Sequence, residues 1–328
     1  MPKAPAVATD RRADALLTGR SESARPGPRD RVVVRVEGRP VHVLARGSGR
    51  PVVLLHGNGS LGEEIFRSFA SVPGWRWIAP DRPGYGGSAP LPLGRTDPLS
   101  LARWLGHFLD ALGLEEATLV AHSLSAGAAL CLAATRPRRL SGLLLIAPFC
   151  RPTPQDWKPA LRLVSAPVWG APLRPMLPPL ARLARRPILR TLMKPNAVPP
   201  WLHDFPIEKA LRPRAVLTAG AELRRFNRGM GAAESRLRVD LPVTVLQGLV
   251  DRTAEADWHL PWIEARAPRL RTIRLAGVGH ALHHAAPDAV LEALADLARP
   301  AAGSGGRACA CGGLPHKGPG SSGQEIVL

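Results

Sequence analysis

Along the chain, short runs of β-branched and aliphatic residues alternate with longer stretches whose apolar positions recur at helical spacing. "RVVVRV" and "VHVLARG", separated by residues 37–40, predict an opening antiparallel hairpin. Then come "PVVLLHG", "WRWIAP", "ATLVAHS" and "LSGLLLIAP", almost continuously apolar, with helical stretches over 61–70, 98–112 and 125–136. Runs apolar on both sides of the pleat predict strands covered on both faces. After residue 240 the pattern resumes with "PVTVLQG", a helix over 254–267, "LRTIRLAG" and a last helix over 287–298. Strands that alternate with helices predict an α/β domain, a mostly parallel central sheet with helices on both faces. That domain is interrupted once, so its core comprises residues 30–148 and 241–300.

Residues 149–240 form the interruption, which is dense in proline, with Pro178-Pro179 and Pro199-Pro200 as the plainest breaks. Proline removes a helical donor and ends helices, so short, angular helices are expected there. Such an insert reads as a helical cap. Its Trp157, Trp169 and Trp201 are expected to line an apolar cleft for substrate. The run "PLARLARRPILRTLMK" reads as an amphipathic lid helix, interrupted at Pro187, with a solvated basic face. Docking of that face on anionic membrane is the less favoured alternative.

Charge sharpens this division. The chain of 328 residues carries a formal +18, and residues 151–240 hold 17 Lys+Arg against 6 Asp+Glu, a net +11 in the insert. No finger, RRM or KH signature accompanies the charge, so no nucleic-acid partner is expected. The four cysteines, Cys131, Cys150, Cys309 and Cys311, form neither a disulfide framework nor a metal motif. Residues 1–29 lack the apolar stretch of a secretory signal and read as a disordered arm, and 301–328 read as a flexible, low-complexity tail. With no apolar stretch long enough to span a bilayer, a cytoplasmic protein is expected.

Candidate chemistry begins with "LVAHSLSAG", which puts Ser123 where an apolar strand gives way to an alanine-rich helix. A helix cap and a nucleophile both suit that position. Small residues two before and two after, Ala121 and Ser125, fit a strained strand-to-helix elbow. A serine hydroxyl is a poor nucleophile until a base takes its proton and a third group holds the base. "VLQGLVDRT" offers Asp251 and "LAGVGHALHH" offers His280, each just past a strand and in the order nucleophile, acid, histidine. The oxyanion of an acyl-transfer intermediate needs preorganised donors. The backbone N–H groups of Leu124 and of Asn58, in "LLHGNGS", are placed for that task.

The motifs "HGNG", "DRPGYGGS", "AHSLSAG", "GLVD" and "GVGH", in that order, resemble the α/β-hydrolase superfamily over roughly residues 31–299. The resemblance implies that fold, with the cap inserted before the acid-bearing strand. It also implies a nucleophile at Ser123, an acid at Asp251, a base at His280 and an oxyanion hole from Asn58 and Leu124. In this superfamily dehalogenases and epoxide hydrolases would carry aspartate at the elbow; serine argues against both. The expected activity is that of an esterase-like serine hydrolase on an ester or similar carbonyl substrate with an apolar part, with no cofactor and no metal. A non-catalytic ligand-binding or partner-binding member of the fold remains the alternative, and oligomeric state is unassigned.

Other polar residues near these motifs have structural readings. Asp81 in "DRPG" reads as a turn residue, His56 as an organiser of its loop, and His122 as structural. His283 and His284 have no carboxylate or cysteine at metal-ligand spacing in the sequence, and are expected to bind no ion.

Overall fold

The structure is a computed structural model that describes residues 27–154, 159–299 and 325–327. Residues 1–26 of the arm expected over 1–29, Trp157 and most of the tail lie outside the described residues; within the tail expected to be flexible, residues 325–327 instead form a strand whose backbone pairs with Thr272–Arg274. The strands are β1 (Arg31–Val36), β2 (Arg39–Arg46), β3 (Arg50–Leu55), β4 (Trp75–Pro80), β5 (Ala117–His122), β6 (Leu140–Ile146), β7 (Val243–Gly248), β8 (Leu270–Leu275) and β9 (Glu325–Val327). They form one sheet in the order β1-β2-β4-β3-β5-β6-β7-β8-β9. Only the β1/β2 and β2/β4 pairs are antiparallel. The chain enters the sheet through a hairpin whose two turn residues, Glu37 and Gly38, both have positive φ, 49° and 77°. That geometry matches the twist of the flanking strands.

Helices α1 (Gly62–Phe69), α2 (Pro98–Ala111) and α3 (Ser125–Thr135) follow β3, β4 and β5. Between β6 and β7 lie α4 (Pro159–Val164), α5 (Leu177–Leu183), α6 (Arg185–Met193), α7 (Ile207–Ala210) and α8 (Pro213–Ala233). The core then closes with α9 (Ala256–Glu264), α10 (Leu282–Ala285) and α11 (Pro287–Leu297). Successive residues of a strand point to opposite faces, and the packing follows that rule. Val53 and Leu55 join a cluster with Leu105, Phe108 and Leu130 from α2 and α3. Val52 and Leu54 join another with Ile65, Phe66 and Leu294 from α1 and α11. A third cluster holds the cap to the core, with Leu61 and Tyr85 packed among Ala181, Leu189, Met193 and Phe205.

The cap departs from its expected form in one element. α8 runs for 21 residues, Pro213–Ala233. Its proline stands at the first helical position, where the missing N–H costs nothing, and no further proline follows until Pro242. The short, angular form holds for α4 to α7.

Candidate active site

β5 ends in a tight turn, and Ser123 stands on it at φ 57°, outside the region that residues with a side chain normally occupy. The turn is held from several sides. Ser123 N donates to Ile146 O at 2.9 Å, and Ser123 O accepts from Ala126 N and Phe149 N at 3.0 and 3.2 Å. Ser125 sends its buried hydroxyl to His56 O at 2.6 Å and ties the start of α3 to the loop after β3.

β7 and β8 bring the other two candidates to the same end of the sheet. His280 Nε2 lies 2.9 Å from Ser123 Oγ, and His280 Nδ1 lies 2.8 Å from Asp251 Oδ2. With the proton on Nδ1, the imidazole donates to the carboxylate and accepts from the serine hydroxyl. Asp251 is itself fixed: Oδ1 accepts from Thr253 N at 2.7 Å and Ala254 N at 3.1 Å, and Gln247 Nε2 reaches Oδ2 at 3.3 Å. Burial pushes the Asp251 carboxyl upward, but hydrogen bonding and charge attraction to His280 and the two backbone donors outweigh it and hold the pKa below the ordinary value.

The loop after β3 presses against the elbow. A Cβ on Gly57 would lie 2.9 Å from His122 Nδ1 and 3.3 Å from Ser123 Cβ, so only glycine permits this approach. The backbone N–H groups of Asn58 and Leu124 donate to no protein acceptor among the described residues. The Asn58 side chain is turned away into a buried network, with Nδ2 against Glu222 Oε2 at 2.9 Å, Ala219 O at 3.1 Å and Tyr85 OH at 3.3 Å.

That network joins cap to core. Arg82 pairs with Glu222 of α8 at 2.6 and 3.1 Å, and its Nε and Nη2 donate to the carbonyls of His56 and Gly57 at 2.9 and 3.1 Å. Tyr85 OH donates to Glu222 Oε2 at 2.9 Å. Arg82, Tyr85 and Glu222 are all buried. No pattern in the sequence gives Arg82, Tyr85 and Glu222 this shared role. Arg82 and Tyr85 do stand in the quoted "DRPGYGGS", whereas nothing local marks Glu222, which lies 140 residues from Arg82.

Asp81 behaves as a turn residue, its carboxylate accepting from Gly62 N at 3.0 Å and Gly87 N at 3.1 Å. His56 accepts from Arg82 N at 3.0 Å, and burial together with Arg82 lowers its pKa to about 3. His122 lies against His280, with ring centroids 4.9 Å apart and Nε2 3.1 Å from His280 O.

His283 and His284 do meet a carboxylate, one supplied by α1. Glu64 Oε1 lies 2.7 Å from His283 Nε2 and is also bonded to His284 Nε2, and Ser68 Oγ lies 3.0 Å from His284 Nδ1. The donor atoms of the two histidines and Glu64 lie within 4.8 Å of one another, close enough to hold a cation. Both rings point at one oxygen at hydrogen-bond distance, so the carboxylate already joins α1 to α10 without one. Burial, opposed more weakly by Glu64, lowers the His284 pKa to about 4.

Of the three tryptophans expected at the cleft, Trp201 is half-buried and stands edge-on to His284 at 4.9 Å. It packs at the seam between cap and core. Trp169 does not line a cleft: it is 80% exposed, because the turn that carries it faces outward. Trp157 lies outside the described residues.

A model described as "Alpha/beta hydrolase family" matches residues 52–293. The chain belongs to the α/β-hydrolase family. Over 107 residues it is 38% identical to a 2-hydroxymuconate semialdehyde hydrolase of Pseudomonas putida, covering 31% of this chain and 37% of that protein. Over 113 residues it is 38% identical to a haloalkane dehalogenase of Mesorhizobium japonicum, covering 34% and 36%. The chain thus spans little more than a third of the length of these curated relatives. Among solved structures, an α/β-hydrolase fold protein from Nakamurella multipartita superposes with a TM-score of 0.63 at 23% identity, covering 81% of this chain and 98% of that one. An epoxide hydrolase of Vigna radiata does so with a TM-score of 0.65 at 21% identity, covering 83% and 98%. Both show the shared fold.

Proposed function

We propose that this member of the family is a serine hydrolase that cleaves an ester or similar carbonyl substrate through an acyl-enzyme. The observation that carries the reading is the unbroken line Ser123 Oγ, His280 Nε2, His280 Nδ1 and Asp251 Oδ2, with links of 2.9 and 2.8 Å. As Ser123 Oγ attacks the carbonyl carbon, its proton passes to His280 Nε2. Asp251 then balances the imidazolium through Nδ1. The charge that forms on the carbonyl oxygen is met by the backbone N–H groups of Asn58 and Leu124. His280 returns the proton to the leaving group, and water, deprotonated by the same nitrogen, releases the acid. A neutral serine at the elbow suits acyl transfer. The dehalogenases and epoxide hydrolases that share the fold displace at saturated carbon and would carry aspartate there.

The test is turnover of p-nitrophenyl esters of increasing acyl length by wild type and Ser123→Ala. Hydrolysis by the wild type, reduced about three to six orders of magnitude in the variant, is expected. A folded wild type inert to the whole series, yet active on 2-hydroxymuconate semialdehyde, the compound for which the Pseudomonas putida relative is named, would move the substrate class. Activity that survives Ser123→Ala would remove the mechanism.

A further inference from the structure

The outer face of the cap is apolar and basic together. Soluble surfaces scatter exposed apolar residues singly, and a contiguous patch marks a contact surface. Here Trp169, Leu173, Met176, Leu180 and Leu183 follow one another at spacings of four, three, four and three along the turn, a short 3-10 segment and α5. That spacing places Leu173, Met176, Leu180 and Leu183, which share continuous right-handed helical backbone, on one stripe, with Trp169 in the turn that leads into it. All five are exposed, Leu183 at 85%, and Leu163, Val168 and Leu192 on the flanking segments of the cap are exposed as well. The opposite side of the same elements, with Ala181, Leu189 and Met193, packs toward Leu61 and Tyr85 of the core. The stripe is therefore not a lid face in search of the cleft.

Charge identifies the occupant. Residues 158–203 contain eight Lys and Arg and no Asp or Glu. Arg174 is turned inward onto the carbonyls of Val164, Ala166 and Pro167, and Arg185 faces Glu208 at 3.6 Å. Arg162, Arg182, Arg186, Arg190 and Lys194 are exposed and meet no acidic group among the described residues. A second copy would bring like charge against like charge across a two-fold contact. Nucleic acid would neutralise the arginines yet leave the leucines uncovered. A bilayer with anionic headgroups satisfies both, since tryptophan and leucine enter the headgroup boundary while arginines remain at the phosphates.

We infer that the outer face of the cap, from Leu163 to Lys194, docks on anionic phospholipid membrane. The docking requires no chemistry at Ser123, so Ser123→Ala should bind vesicles as the wild type does. That separates this inference from the hydrolase reading.

The experiment is cosedimentation of the whole chain with phosphatidylcholine vesicles and with vesicles containing about 30% phosphatidylglycerol, at low ionic strength. Binding to the anionic vesicles is expected to be at least about tenfold tighter than to neutral ones. Arg186→Glu with Arg190→Glu should weaken it by more than about thirtyfold. Leu180→Ser with Leu183→Ser should weaken it about tenfold. Both pairs lie on the exposed face, so melting temperatures should match the wild type. Equal partition into both vesicles, no binding to either, or wild-type binding by both variants would overturn the inference. So would a wild-type dimer that the leucine variant dissolves, which would assign the face to a second copy.

Discussion

At φ 57°, Ser123 holds a backbone conformation that costs about 1–2 kcal/mol for a residue with a side chain. The surrounding bonds to Ile146, Ala126 and Phe149 keep it there. The same turn brings Oγ to 2.9 Å from His280 Nε2, so the strain and that contact have one origin. If Ser123, His280 and Asp251 act as one unit, losses on removing them should not multiply. Asp251→Asn should lower the chemical step about ten-thousandfold by releasing the imidazole from its tautomer. Added to Ser123→Ala, it should lower ester hydrolysis little further. Rates that fell by the product of the two single losses would show that the residues act separately. All three were legible because each follows a short apolar run, and strand periodicity marks where such runs end. Glu64 was not, because it meets His283 across 219 residues through a contact that no local pattern encodes.

Among the elements, α8 does most to relate cap and core. Its Glu222 is buried against Arg82, and Arg82 in turn holds the carbonyls of His56 and Gly57, so the helix sets the loop that carries Asn58. Breaking a buried pair leaves an uncompensated charge, whereas replacing both partners by apolar residues is often neutral. Glu222→Gln should therefore lower stability by about 3–5 kcal/mol, and Arg82→Met with Glu222→Met should recover only part of it, because the carbonyls of His56 and Gly57, the Tyr85 hydroxyl and Asn58 Nδ2 then lose buried partners. Chemical denaturation of the three proteins checks this; a Glu222→Gln variant as stable as the wild type would show that the pair does not hold the loop. Strands β1 to β8 and helices α1 to α3, α9 and α11 were legible from period alone, whereas the four-residue α10 was too short to show a period and β9 lies in a stretch that reads as a low-complexity tail. The length of α8 was less so, since the prolines before it set the expectation for the whole insert. The exposure of Leu180 and Leu183 also escaped the pattern: an amphipathic sequence says which residues share a face, not what covers it.

For the molecule as a whole, buried histidines tie stability to pH. Burial lowers His56 to about 3 and His259 and His284 to about 4, and drives His122 well down. Their folded forms remain neutral where the unfolded chain, near 6.5, takes up protons. Between about pH 6.5 and 4 the unfolded state binds more protons, so stability falls as pH falls through that window. The three histidines with stated values together give a slope approaching ~4 kcal/mol per pH unit below pH 6. Melting temperature followed from pH 7.5 to 4.5 should drop steeply below about 6. A flat profile down to pH 5 would mean that these rings are solvated or protonated in the folded chain.

Covalent labelling probes Ser123 Oγ itself. Intact-mass measurement after treatment with a small fluorophosphonate should show one adduct, mapped by peptide digestion to Ser123. It should be absent from Ser123→Ala and slowed by orders of magnitude in a folded His280→Ala variant. A folded wild type that takes up no label, or an adduct that persists in Ser123→Ala, would show that Ser123 is not the nucleophile.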